Sequence, residues 1–173
     1  MKITDIRTVV VGNPWKNWVF VVVETSDGIS GLGETTGGLS TMPNKEAVEE
    51  IKHLAIGKNP LEISNIVDEL YKALFLKMTS AVAAIEIACW DILGKHLKVP
   101  IYQLLGGKVR DKVRVYANGW YSGERSPENF GEKAKSLADK GYTALKFDPF
   151  GSEYLRLNKD SETFIKKIIR SVK

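Results

Sequence analysis

The 173-residue chain is predicted to be α+β: a three-stranded antiparallel meander with packed helices, then a strand–helix–strand–helix stretch of the kind that builds a parallel α/β sheet. Three observations lead there. β-Branched runs separated by turn residues fill the first 34 positions. Apolar residues then recur at helical spacing as far as His96. From Val113 onward, short β-branched runs alternate with helical patterns.

Ile3–Val11 reads as the first strand, broken by Gly12-Asn13-Pro14. Trp18–Thr25 is the second, and Ser26-Asp27-Gly28 supplies a tight turn into Ile29–Glu34. Gly31 and Gly33 weaken that third strand, which points to a bulge or a close backbone approach. Asn44 is placed as the cap of a helix over Lys45–Leu54, ended by Gly57-Lys58-Asn59-Pro60. Ile63, Ile66, Val67, Leu70 and Leu74 form one stripe of a second helix. Ser80 is placed as the cap of a third, Ala81–His96, with Val82, Ile85, Cys89, Ile92 and Leu93 inward. Its alanines keep the surface thin and allow close packing on a neighbour. Pro100 and Gly106-Gly107 punctuate the chain.

The pattern changes near Lys112. Val113–Ala117 is a short strand, followed by a loop to Arg125. Ser126 caps a helix that opens on Pro127, whose missing N–H costs nothing there, and that Gly141 ends in a left-handed conformation. Tyr142–Phe147 is the next strand, Asp148-Pro149-Phe150-Gly151 a loop, and Asp160 or Ser161 the cap of a last helix through Val172. The domain division is 1–112 and 113–173.

Composition sets bounds. Hydrophobic residues at 43% suffice for a packed core. The net charge of +4 is spread out, and Lys166, Lys167, Arg170 and Lys173 lie on an amphipathic helix. A solvated face explains them, so no nucleic-acid partner is expected. The apolar run Val19–Val23 is too short to span a bilayer, so no membrane partner is expected either. Cys89 is the lone cysteine, which fits a reducing cytoplasm, and its apolar surroundings make it a core residue rather than a reactive thiol.

Two features are recognisable. One is Ala83–Arg110: an Ala-rich helix, then Cys89-Trp90-Asp91, Gly94-Lys95, Pro100 and Leu104-Leu105-Gly106-Gly107. The other is Lys146-Phe147-Asp148 at a strand end. Together they resemble the mandelate racemase and muconate lactonizing branch of the enolase superfamily. The resemblance covers the whole chain. It implies that 1–112 is the family's N-terminal capping domain and that 113–173 is the incomplete start of its modified (β/α)7β TIM-like barrel. Lys146–Gly151 is most similar to sugar-acid dehydratases of the gluconate or galactonate type, which take water from an aldonic acid to give a 2-keto-3-deoxy acid. Racemases and cycloisomerases of the family have a second lysine where this chain has Asp148, so a two-base racemase is disfavoured.

The resemblance implies the site. Lys146 would set an ammonium near the substrate carboxylate or the enediolate formed when the alpha proton leaves, and Asp148 would favour its charged form. A surface ion pair between the two is the plain alternative. The family's Mg2+ is held by acidic residues of later barrel strands and its main base is a late-strand histidine, so no metal ligand is expected in this chain. His53 and His96 are helix residues in the capping part. Substrate-binding candidates are Trp15, Lys16 and Asn17 after the first strand, Thr35 and Thr36 after the third, and Asn118 and Tyr121 after Val113–Ala117. Trp120 beside them reaches the substrate or packs the loop, and Gly37-Gly38 would be a hinge.

A full barrel takes about 250 residues, far more than 113–173 supply. The expectation is therefore a chain inactive alone, which belongs to an oligomer or meets a complementary barrel-bearing chain. The leading function is the N-terminal portion of a magnesium-dependent acid-sugar dehydratase. The alternatives are a non-catalytic oligomeric fragment and an epimerase or cycloisomerase of the same superfamily.

Overall fold

A computed structural model describes residues 1–12, 16–35, 40–74 and 79–173, without the side chain of residue 74. The chain divides into two compact units, Met1–Val109 and Arg110–Lys173.

The first unit opens with β1 (Ile3–Gly12), β2 (Asn17–Thr25) and β3 (Ser30–Glu34), antiparallel neighbours in the order β1-β2-β3. The register sets Val9 opposite Phe20 and Val21 opposite Gly33. The tight turn into β3 has Gly28 at φ +77°, a left-handed conformation glycine adopts without strain. Val19, Val21 and Val23 are buried while Phe20 and Val22 are half-buried, the period-2 alternation of a sheet covered on one face.

Helices α1 (Thr41–Ile51), α2 (Ile63–Leu74), α3 (Thr79–Leu97) and the short α4 (Ile101–Leu104) follow, with a 3-10 turn at Lys52–Leu54 after α1. Ile66 and Leu70 of α2 and Val82, Ile85, Cys89 and Ile92 of α3 enter one core with Ile3, Ile6, Val21 and Val23. The glycines of β3 show their purpose here. A Cβ on Gly31 would come within 2.0 Å of the Ala88 carbonyl oxygen, and one on Gly33 within 1.9 Å of that of Ala84. Strand backbone lies directly on helix backbone, which only glycine against alanine allows. Asp91 and Lys95 of α3 also reach the free side of β3. The Asp91 carboxylate accepts from the Leu32 N–H at 2.9 Å, and the Lys95 ammonium donates to the Ser30 carbonyl at 2.6 Å.

Two expected caps are not caps. α1 starts before Asn44, and α3 starts at Thr79, so both Asn44 and Ser80 lie inside helices. The Ser80 hydroxyl donates to Asn44 Oδ1 at 2.7 Å. Each polar side chain, half-buried or buried, finds a partner on the facing helix instead of a backbone N–H of its own.

In the second unit, α5 (Pro127–Asp139) packs against α6 (Lys159–Val172). Ser126 caps α5 as expected, its hydroxyl accepting from the Asn129 N–H at 3.3 Å, and Gly141 stands at φ +91°. Asn158 caps α6, accepting from the Ser161 N–H at 2.8 Å, in place of the expected Asp160 or Ser161. Asp160 falls in the first turn instead, where a carboxylate also suits the helix dipole. The two β-branched runs meet in a single parallel bridge, Ala117 with Leu145, rather than in a ladder. Strand propensity favours an extended backbone, but a ladder needs consecutive paired residues, and only one pair is made.

Candidate active site around Lys146

The bridge fixes the end of the second β-branched run. The Ala117 N–H donates to the Ala144 carbonyl at 3.0 Å, and the Lys146 N–H donates to the Ala117 carbonyl at 2.8 Å. The Lys146 carbonyl is taken by the Trp120 indole N–H at 2.9 Å. Both backbone groups of Lys146 are thus occupied while its side chain is exposed. Its ammonium lies 5.7 Å from the centroid of the Tyr116 ring, within cation–π range.

Trp120 is anchored in turn. Its ring meets Phe130 and Phe147 edge-on at 5.9 and 5.5 Å, and Tyr121 stacks on Phe130 at 6.0 Å. Tyr121 is therefore half-buried in an aromatic cluster at the start of α5, while Asn118 is exposed. Asp148 is exposed as well, and its Oδ1 accepts from the Phe150 N–H at 2.8 Å, closing a small turn. No ion pair joins Lys146 and Asp148. Asp148 lines an open depression of about 370 Å3 with Phe150, Glu153, Tyr154, Leu155, Arg156 and Leu157.

These carboxylates do not make a magnesium site. One Asp148 oxygen already takes the Phe150 N–H, and Glu153 accepts the Ser161 hydroxyl at 2.7 Å. Among the described residues no three of His, Cys, Asp or Glu gather where they could hold an ion. Magnesium asks for near-octahedral oxygen coordination, which this set does not offer.

Lys16 Nζ lies 5.0 Å from the Trp18 ring centroid, and Asn17 donates from Nδ2 to the Thr41 hydroxyl at 3.2 Å. Thr35 is only 1% exposed. Its N–H donates to the Val19 carbonyl at 2.9 Å, and its hydroxyl has no hydrogen-bond partner among the described residues. Trp15, Thr36 and the Gly37-Gly38 pair lie outside the described residues. His53 is exposed, its Nδ1 2.9 Å from the Glu50 carbonyl oxygen, and His96 is exposed in the last turn of α3. Cys89 is buried, and desolvation, with a smaller contribution from the Glu86 charge, pushes its thiol up to about 12.

A further residue at this site is Arg125. Its guanidinium donates to the Pro149 carbonyl, and nothing local in Gly123-Glu124-Arg125-Ser126 signals that partner.

Residues 5–106 match the family described as mandelate racemase/muconate lactonizing enzyme, N-terminal domain. The chain belongs to this family. Within the enolase superfamily, the chain is 43% identical over 146 residues to the D-gluconate dehydratase of Thermoproteus tenax, covering 81% of itself and 29% of that relative. It is 39% identical over 163 residues to the D-gluconate/D-galactonate dehydratase of Picrophilus torridus, covering 91% of itself and 41% of the relative. The crystal structure of a candidate dehydratase from Mesorhizobium loti matches it with a TM-score of 0.94 at 30% identity, over 99% of this chain and 49% of the other. The chain thus spans less than half the length of each. The three-stranded antiparallel sheet with its helices is the family's capping domain. Among the described residues no helix is long and apolar enough to cross a membrane.

Proposed function

We propose that residues 1–112 are the capping domain and 113–173 the first two βα units of the barrel of a magnesium-dependent acid-sugar dehydratase acting on gluconate- or galactonate-like aldonates. The supporting observation is Lys146, whose backbone is pinned on both sides and whose ammonium is free to meet an anion, in a chain similar to two named gluconate dehydratases.

The reaction removes the proton alpha to the carboxylate and expels the C3 hydroxyl as water, and the resulting enol becomes a 2-keto-3-deoxy acid. The alpha proton is a weak acid, so the step depends on stabilising the enediolate. A preorganised ammonium does this where the charge develops. Lys146 has that role. The base that takes the proton and the residues that hold magnesium belong to barrel strands outside 1–173. The Asp148 carboxylate in place of a second lysine favours this reading over an epimerase or cycloisomerase.

A second reading, a non-catalytic fragment that associates, is favoured by exposed apolar side chains in 113–173: Val113 at 77%, Val115 at 65% and Leu155 at 88%. Association with another copy or with a barrel-bearing chain would cover them, and the buried lone thiol suits a cytoplasmic setting. Sedimentation of the chain alone tests this: a stable monomer would count against association.

The function is tested in a chimera in which residues 1–173 replace the matching N-terminal stretch of the Picrophilus torridus relative. Formation of 2-keto-3-deoxy acid from a panel of aldonates is followed. Lys146→Met should lower kcat by about a hundredfold or more, the usual loss when a transition-state charge partner goes. Full activity in that variant would end the dehydratase assignment for Lys146. The chain 1–173 alone should give no product.

A further inference from the structure

Arg125 stands directly before the cap of α5, so its backbone is fixed by the helix start. The Ser126 hydroxyl accepts from the Asn129 N–H, and Asn129 Nδ2 donates to the Glu124 carbonyl at 2.6 Å. From there the side chain crosses to the segment after Lys146. Its guanidinium donates to the Pro149 carbonyl and approaches the Asp148 carbonyl at 3.4 Å. Its Cζ is 5.9 Å from the Phe130 ring centroid. Gly151 lies against it at φ +66°, and a Cβ there would stand 2.6 Å from Cζ. The Arg125 charge meets carbonyls, a ring and a bare glycine, with no carboxylate paired to it among the described residues. An arginine held this way serves geometry more than charge balance.

We propose that Arg125 is a positioning residue for the Lys146–Asp148 pair. Two neighbouring carbonyls drawn to one planar cation set the outside of the 148–151 turn. The bond from the Phe150 N–H to Asp148 Oδ1 sets its inside. Upstream, Trp120 takes the Lys146 carbonyl. The single loop that contains both Trp120 and Arg125 therefore fixes the backbone on either side of Phe147, and with it the directions in which the Lys146 ammonium and the Asp148 carboxylate leave the chain. A lysine cannot replace the fork, since its ammonium is a point donor without a planar face to lie on Phe130 and Gly151. The inference rests on the reading of Lys146 as the ammonium at the reacting centre.

The test has two arms. In the 173-residue chain, amide exchange of Phe150 is compared in wild type, Arg125→Lys, Arg125→Ala and Gly151→Ala. Exchange should quicken by about tenfold or more in every variant, the size of one lost charge-assisted hydrogen bond. Added guanidinium ion, below denaturing concentration, should restore protection in Arg125→Ala and not in Gly151→Ala, where the new Cβ occupies the place of the ion. Unchanged Phe150 exchange in Arg125→Ala overturns the inference. In the chimera, Arg125→Ala should lower kcat and regain it with guanidinium. A kcat equal to wild type, while Lys146→Met is inactive, overturns the inference and leaves the dehydratase reading standing. Full activity of Lys146→Met with quickened exchange in Arg125→Ala has the opposite meaning: the clamp on the turn stands, while the Lys146 role, and the positioning function built on it, fall.

Discussion

The two units of this chain bury their apolar residues in different ways. Met1–Val109 lays helices on one face of a sheet, and strand and helix residues from Ile3 to Ile92 share a continuous core. Arg110–Lys173 buries Ala117, Phe130, Ala134, Ile165 and Ile168, and leaves Val113, Val115, Tyr154 and Leu155 outside. The first unit interleaves a sheet and helices around one core. The second depends on one aromatic cluster and one helix pair. The residues proposed for catalysis sit in the unit with the smaller core, so their geometry rests on hydrogen bonds from loops more than on packing.

The sharpest way to break this contrast is Phe130→Ala. Phe130 is buried and touches Trp120, Tyr121 and Phe147. Its loss should cost about 3–5 kcal/mol, comparable to the whole stability of a unit this small. Hydrogen exchange should show α5 and α6 unprotected while α3 keeps its protection. Survival of α5 and α6 would mean that the second unit has more holding it than its core suggests.

The next test addresses the first unit. Gly33→Ala forces a Cβ into the Ala84 carbonyl and should cost about 2–3 kcal/mol, seen as a lower urea midpoint for α3 with exchange in α5 unchanged. A midpoint like wild type would mean that β3 and α3 separate without penalty.

Cys89 offers a pH handle on the same unit. Its thiol is raised from an ordinary value of 9.0 to about 12, chiefly by burial. The folded state therefore holds the proton more tightly than the unfolded one. Stability from this source is complete below pH 9 and is lost as pH climbs toward 12. By pH 10 the loss should be about 1 kcal/mol. Wild type should lose more than Cys89→Ala over that interval in denaturant titrations; equal slopes would contradict the burial account. The smallest effect is expected from Ser126→Ala, which removes the α5 cap at a cost of about 1 kcal/mol, measured as a shift in the α5 exchange midpoint. A larger loss would show that the start of α5 also supports the turn beyond Lys146.

What could be read from the sequence was local. The Gly28 turn, the Ser126-Pro127 start of α5, the stripe of α2 and the close approach at Gly31 and Gly33 each follow from residue chemistry acting over a few positions. Asn44 and Ser80 show where that logic stops. A polar residue near a helix start can cap its own helix or reach a neighbour, and only the meeting of α1 and α3 decides it. Asn158, Asp160 and Ser161 are all competent caps within a single turn, so residue type alone does not choose among them. At the site, Lys146 and Asp148 were legible as a pattern. Arg125 was not, since its partners lie more than twenty residues away and are carbonyls that every residue type carries equally.

The side-chain bonds along β3 have a consequence for crowding. Asp91 and Lys95 occupy the donor at Leu32 and the acceptor at Ser30, so an incoming strand meets part of that flank already engaged. Substitutions that loosen Asp91 would return the Leu32 N–H to that edge and make it a better template for sheet stacking.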